Sequence, residues 1–328
     1  MMTFLDFVSA VKDGVGDYLP PDFQNAEIKI NSITKNNGIV KTGLTIRKQE
    51  ETLCPTLYLD EFYQMHVNEK ELSGKELEGL IETIAENYME AIPKGHMLGD
   101  LDISSFDSVK SRIIFCLVNQ KENAAFLRQA PYRKMEDLAE IYQISVMENE
   151  NEAGSIKVNN TLMSLWDVSP EELHTAAIQN TERMYPATFQ SMDQVIEALM
   201  TGEEGKGNLL QDSRDFQPGP MYVLTNEVKM NGAAVLLYPN ILERVQQIIG
   251  SDYYVLPSSI HEVLVIPKDT PQTKQEMGRM VREVNIGQVS PEERLSNCIY
   301  EYRSDEKSLK QVKESLPKQE KVHFKHQR

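Results

Sequence analysis

A chain of 328 residues, 40% hydrophobic and 26% charged, has the length for two domains and the composition of a globular protein. Its formal net charge of −16, from 50 acidic against 34 basic residues, opposes binding to nucleic-acid backbones and anionic membranes, which need clustered Lys and Arg. No apolar run is long enough to span a bilayer, and the N-terminus carries acidic residues where a signal peptide would be positive, so a cytoplasmic protein is expected.

Phe4, Phe7, Val8 and Val11 recur at helical spacing and predict an opening helix that ends near Gly14 or Gly16. Ile28 and Ile30 alternate with polar residues. Asn36-Asn37-Gly38 then separates them from a second apolar run, Ile39 to Ile46, and an Asn-Gly pair of this kind predicts a hairpin. A third strand is expected at Thr56 to Leu59. Ser73, with Glu76 three residues on, predicts the capped start of a helix whose apolar face includes Leu77, Leu80, Ile81, Ile84 and Tyr88. Pro93-Lys94-Gly95 closes this unit.

Arg112 to Asn119 reads as a strand, Asn123 to Gln129 as a short helix, and Leu138 to Met147 with Ser155 to Val158 as a strand pair across an acidic loop. Ser169-Pro170-Glu171-Glu172 starts a helix, with proline at its favoured first position. Thr201 to Pro220, rich in glycine and polar residues, is expected to be a mobile loop. Met221 to Leu224 and Ala233 to Leu237 read as strands bracketing an Asn231-Gly232 turn, and Pro239 opens a helix that ends at Gly250. Tyr253 to Leu256 and Val263 to Pro267 are apolar on both faces, as interior strands are. A helix from about Gln272, a second Ser-Pro-Glu-Glu box at Ser290, and a strand at Cys298 to Tyr302 follow. From Ser304 the chain reads as a helix fraying into a disordered end.

These segments define an α+β protein with mixed or antiparallel sheets, packed helices, two subdomains and a flexible C-terminal tail. The expected division is a helix–hairpin–helix unit at residues 1–95, a main α+β domain at 96–304, and a charged tail at 305–328. LVNQKENAAFLRQAPYRKMEDLAEIY, DVSPEELHTAAIQNT, NGAAVLLYPNILERV, YVLPSSIHEVLVIP and VSPEERLSNCIYEY, in this order between Leu101 and Tyr302, resemble an uncharacterised bacterial family classified as a domain of unknown function. The resemblance implies an intracellular bacterial protein and carries no activity, substrate or catalytic residue.

Ser258, Ser259, His261 and Glu262 form the one local group with the residue types of a hydrolase or transferase. Nucleophilic catalysis needs a serine and a base meeting in space, and hydrolase serines sit on glycine-flanked elbows. Neither serine here has a glycine beside it. The alternative is a polar joint between two strands, with the hydroxyls bonding nearby backbone. His261-Glu262 would begin an HExxH zinc motif, but Val265 stands at its second histidine. Glu171 and His174 have di-iron Glu-x-x-His spacing without the second copy such sites require. Gly202, Gly205, Lys206 and Gly207 do not match a phosphate-binding loop. Trp166 is expected in the core or as an interdomain anchor. Cys54, Cys116 and Cys298 are widely spaced, which suits a reducing compartment. No metal or cofactor is expected. The reading is a non-enzymatic protein that binds another macromolecule, a protein rather than nucleic acid. The alternative is a hydrolase or transferase at Ser258, Ser259, His261 and Glu262.

Overall fold

The computed structural model describes residues 2–49, 54–68, 72–92, 102–146, 154–202, 207–214 and 216–312. The expected closure at Pro93-Lys94-Gly95, most of the acidic loop after Met147, the centre of the glycine-rich loop and the end of the tail lie outside these residues. The chain forms two compact units. One comprises residues 1–186 with 290–294, and the other residues 187–289 with the chain from 295. All strand pairs among the described residues are antiparallel, and with the helices they make an α+β fold.

In the first unit, Thr3 and Asp6 close a capping box on α1 (Phe4–Gly14), which satisfies amide groups that the first helical turn leaves open. Strands β1 (Glu27–Thr34) and β2 (Val40–Arg47) pair from Glu27↔Arg47 to Thr34↔Val40. Their turn places Asn37 at φ 58° and Gly38 at φ 71°, the left-handed conformation these residue types tolerate. A short β3 (Leu57–Tyr58) joins β2, and α2 (Leu59–Phe62) follows. Helix α3 (Gly74–Glu90) starts at the expected Ser73–Glu76 box. Phe7, Val11, Leu44, Ile46, Ile84 and Tyr88 make one core, and the Tyr88 hydroxyl bonds both backbone groups of Ile46.

After α4 (Phe106–Val109) come β4 (Ile113–Asn119), α5 (Ala124–Leu127), β5 (Tyr132–Met135), β6 (Leu138–Ser145) and β7 (Ser155–Lys157). They form a sheet in the order β4-β6-β5, with β7 also on β6. Every residue of β6 is buried, so both faces are covered. Helix α6 (Asn160–Trp166) precedes α7 (Pro170–Met184), which is capped by Ser169 and Glu172 as expected. Thr181 and Asn180 of α7 bond the backbone of Phe115 and Ile113. Trp166 is buried and donates to the Ile103 carbonyl at 2.8 Å; it belongs to the core of this unit.

The second unit contains β8 (Ala187–Ser191), α8 (Met192–Thr201), β9 (Tyr222–Asn226), α9 (Ile241–Ile249), β10 (Tyr253–Leu256), β11 (Val263–Pro267), α10 (Lys274–Gly287), β12 (Tyr300–Arg303) and β13 (Ser308–Gln311). Its six strands run in the order β13-β12-β10-β11-β9-β8. The strands apolar on both faces, β10 and β11, are thus central. Met277 and Val281 of α10 pack with Tyr254, Leu256, Ile266 and Ile299 on one side of this sheet. Beyond β8, Leu209 donates to the Phe189 carbonyl and Asn208 bonds Ala187 and Phe189, which closes that edge.

Three expected elements differ. Residues Gly232–Leu237 form a 3-10 helix rather than a strand: Ala233 donates to the Ile260 carbonyl instead of a ladder partner. Ser290-Pro291-Glu292-Glu293 forms a turn, not a helix start. The Glu292 carboxylate pairs with Lys41, and the carbonyls of Pro291, Glu292 and Arg294 accept from Asn36 and Asn37. Past Ser304 the chain forms strand β13 on β12, with Leu309 buried, where a fraying helix was expected.

Candidate functional site

Ser258, Ser259, His261 and Glu262 lie in the loop that joins β10 to β11, since Leu256 pairs with Leu264 across the hairpin. Ser259 is buried, and the other three are half-buried. Within the loop, Ser259 N donates to the Glu262 carbonyl at 3.3 Å. Ser259 Oγ accepts the His261 main-chain N–H at 3.0 Å. The His261 carbonyl accepts the Thr225 hydroxyl at 2.7 Å. Its ring Nδ1 accepts the Asn231 main-chain N–H at 3.3 Å. A nitrogen that accepts carries no proton, so in the neutral ring the proton is on Nε2. Serine relay needs a ring lone pair beside the hydroxyl, and the Nδ1 lone pair is directed at Asn231.

Gly232 explains why the loop and the 3-10 helix approach so closely. A Cβ there would collide with the Thr225 hydroxyl and the His261 carbonyl, so the position admits no side chain without movement. Asn231 enters at φ 50°, the conformation that its residue type suits.

A second polar group was not legible in the sequence. Glu140 on β6 is buried, and its carboxylate lies 2.7 Å from Nδ1 of His174 on α7. The Tyr142 hydroxyl lies 3.3 Å from the same nitrogen. Burial, then the negative charge of Glu140 and a hydrogen bond to it, pushes the tyrosine hydroxyl's pKa well up, so it stays protonated with Glu140 as its acceptor. In a neutral imidazole, an Nδ1–H held by a carboxylate leaves Nε2 as an acceptor. Glu171, the sequence partner of His174, instead occupies the first turn of α7, where a carboxylate suits the helix dipole. Among the described residues no cluster of three His, Cys, Asp or Glu could hold a metal ion. Glu140 and His174 are 34 residues apart, and the one visible signal was a carboxylate inside an otherwise apolar strand.

Helix α8 was also missed. Ser191 and Gln194 form a capping box, a serine followed three residues later by glutamine that the sequence displays. None of its residues is buried. Ile196, Leu199 and Met200 are 43%, 76% and 82% exposed, and their spacing puts them on one face. Asp193 and Glu197 stand beside that face.

The Cys116 thiol is pushed up to about 12 by burial and is therefore inert. No helix among the described residues is long and apolar enough to cross a membrane.

Residues 4–304 match a family described as a family of unknown function (DUF5688), and the chain belongs to it. The match covers the segments that carried the resemblance and extends through the N-terminal helix and hairpin. No curated protein and no solved structure matches the chain.

Proposed function

We propose that this member of the DUF5688 family is a non-enzymatic protein that acts by binding another protein through α8. One observation carries the reading. An amphipathic helix ordinarily buries its apolar face, yet α8 leaves Ile196, Leu199 and Met200 in solvent. Such contiguous apolar exposure marks interaction surfaces. Asp193 and Glu197 border the face, and the chain carries a net charge of −16. The complementary partner is a protein with an apolar groove rimmed by Lys or Arg, the helix-in-groove mode of recognition. The same net charge argues against nucleic acid. The widely spaced Cys54, Cys116 and Cys298 suit a reducing interior, and we place the protein in the bacterial cytoplasm.

A hydrolase or transferase at Ser258, Ser259, His261 and Glu262 has less support. Ser259 Oγ and His261 Nδ1 both accept backbone N–H groups, as the polar joint of a sheet would.

The test places a photo-crosslinker at Leu199 in the full chain and, as a control, at the equally exposed Leu5 on α1. The reading expects one protein linked from position 199 and not from position 5. That protein, once purified, binds the parent and loses binding to Leu199→Glu. Links only to a second copy of this chain, no link at all, or unchanged binding by Leu199→Glu would overturn it.

A further inference from the structure

Strand β1 stands at the edge of its sheet and, among the described residues, pairs with β2 alone. In an antiparallel ladder the backbone groups of alternate residues face the partner strand, and those of the residues between face away. Three contacts fix which are which. The Lys35 N–H donates to the Ile39 carbonyl, so these two face each other. Both backbone groups of Ile46, opposite Ile28, bond the Tyr88 hydroxyl on the far side of β2. The Thr42 N–H, opposite Ser32, donates to Asp60. Ile28, Ile30, Ser32 and Thr34 therefore turn their N–H and C=O groups outward, and among the described residues these groups have no partner. Glu27, Lys29, Ser32 and Thr34 are exposed, so the edge is open to solvent. Other edges are closed or short. Asn180 and Thr181 of α7 bond β4, Asn208 and Leu209 bond β8, and β3, β5, β7 and β13 have only two to four residues. Strand β1 has eight, in unbroken register and without proline, which makes it the edge readiest to accept another strand.

We propose that this edge takes the β1 strand of a second copy of this chain, antiparallel about a two-fold axis at Asn31, which joins the two sheets into one. A two-fold contact must be self-complementary, and β1 meets that demand fully in one register. With Asn31 on the axis, Ile28 faces Thr34 of the second copy and Ile30 faces Ser32, in both directions. Each pair exchanges both of its backbone bonds, so every outward group is satisfied. A shift of two residues either way leaves Ile28 or Thr34 facing a residue outside the strand. The charges select the same register. Glu27 comes opposite Lys35 of the second copy, whereas one of those shifts sets Lys29 against Lys35, a like-charge pair. Lys29, an edge lysine of the kind that blunts indiscriminate pairing, falls opposite Ile33. Glu27 also holds Lys29 at 2.7 Å and Arg47 at 3.0 Å, and Lys35 donates to the Tyr58 hydroxyl at 3.1 Å. The added pair of charges is thus shared, and it fixes register more than affinity. This inference is independent of the α8 reading, since it concerns other residues and the other unit.

The test uses the full chain. Sedimentation equilibrium of the parent should show a dimer. Ser32→Pro removes an outward N–H and no bond of the β1–β2 ladder, a position where an edge strand tolerates proline. A backbone bond lost from each copy should raise the dissociation constant on the order of tenfold, with a thermal melt showing that the fold is retained. Cysteine cross-linking reads the register without depending on that variant. Residues opposite each other in a pair of the Asn31 type have Cα atoms about 4.5 Å apart, inside the disulfide range. Asn31→Cys should therefore link two copies on oxidation, measured above the background that the parent's own cysteines give. Lys29→Cys alone should not, since its two copies stand four positions out of register, about 14 Å apart. Lys29→Cys mixed with Ile33→Cys should link. A monomeric parent would overturn the proposal. So would a dimer that a folded Ser32→Pro leaves unchanged, or an Asn31→Cys chain that links no better than Lys29→Cys.

Discussion

The side-chain amide of Asn37, at the tip of the first hairpin, donates at 2.7 Å to the carbonyl of Arg294, 257 residues further along the chain. It also donates to the Pro291 carbonyl, and its Oδ1 accepts from Asn123. One left-handed turn residue thus fastens the returning segment into the first unit. Asn37→Gly keeps the backbone conformation and removes these bonds, so it should lower stability by about 1–3 kcal/mol. Asn37→Ala should cost about 1–2 kcal/mol more, because alanine resists a positive φ. Urea midpoints of the three proteins check this ordering; an unaffected Asn37→Gly would show that the fastening contributes nothing.

Gly232 and Ser259 hold the β10–β11 loop against the 3-10 helix. Gly232→Ala should destabilise by about 1–3 kcal/mol, as overpacking does, since the methyl meets a backbone carbonyl that cannot rotate away. Ser259→Ala should cost about 1 kcal/mol by leaving the His261 N–H without its acceptor. Thermal melts of both variants decide the point. A Gly232→Ala protein as stable as the parent would mean the approach is looser than described.

Glu301 gives the second unit an acid-sensitive element. Its side chain is 6% exposed and lies 2.7 Å from Lys268 and 3.1 Å from Lys274. Burial pushes its carboxyl up, and the lysine bonds outweigh that, holding it below the usual 4.5. A depressed carboxylate stabilises the fold fully above the unfolded-state value, and the contribution disappears as pH falls through the folded-state value. The parent should therefore lose stability more steeply than Glu301→Gln below about pH 4.5. Urea midpoints taken down to about pH 3 should converge; parallel curves would refute the assignment.

Removing the chain after Ser304 should lower the melting temperature, contrary to a tail that merely frays. It deletes β13 with its four partners on β12, the buried Leu309, and the Val312 contact with the Ile299 cluster. It also leaves an open strand edge prone to association. A chain ended after Val312 keeps all of these and should melt well above the shorter one. Equal melting temperatures would show that β13 is dispensable.

The sequence by itself determined what is settled within a few residues. Ser73 and Ser169 cap their helices because each finds its glutamate three positions on. Asn36-Asn37-Gly38 turns a hairpin because asparagine and glycine tolerate positive φ wherever they stand. The two-faced apolar runs at Tyr253 and Val263 marked central strands for the same reason: burial on both sides leaves no room for polar alternation. Distance in the chain defeated the rest. The Ser290 box has the residues of a helix start, yet Lys41 and two asparagines some 250 positions earlier take its charge and its carbonyls. Asn231-Gly232 has the residues of a hairpin turn, but the His261 carbonyl, lying where a Cβ would be, makes it the entry to a 3-10 helix. Neither the Glu140–His174 pair nor the open outer edge of β1 exists until strands and helices are assembled, because burial and proximity belong to the packed chain and to no single segment of it.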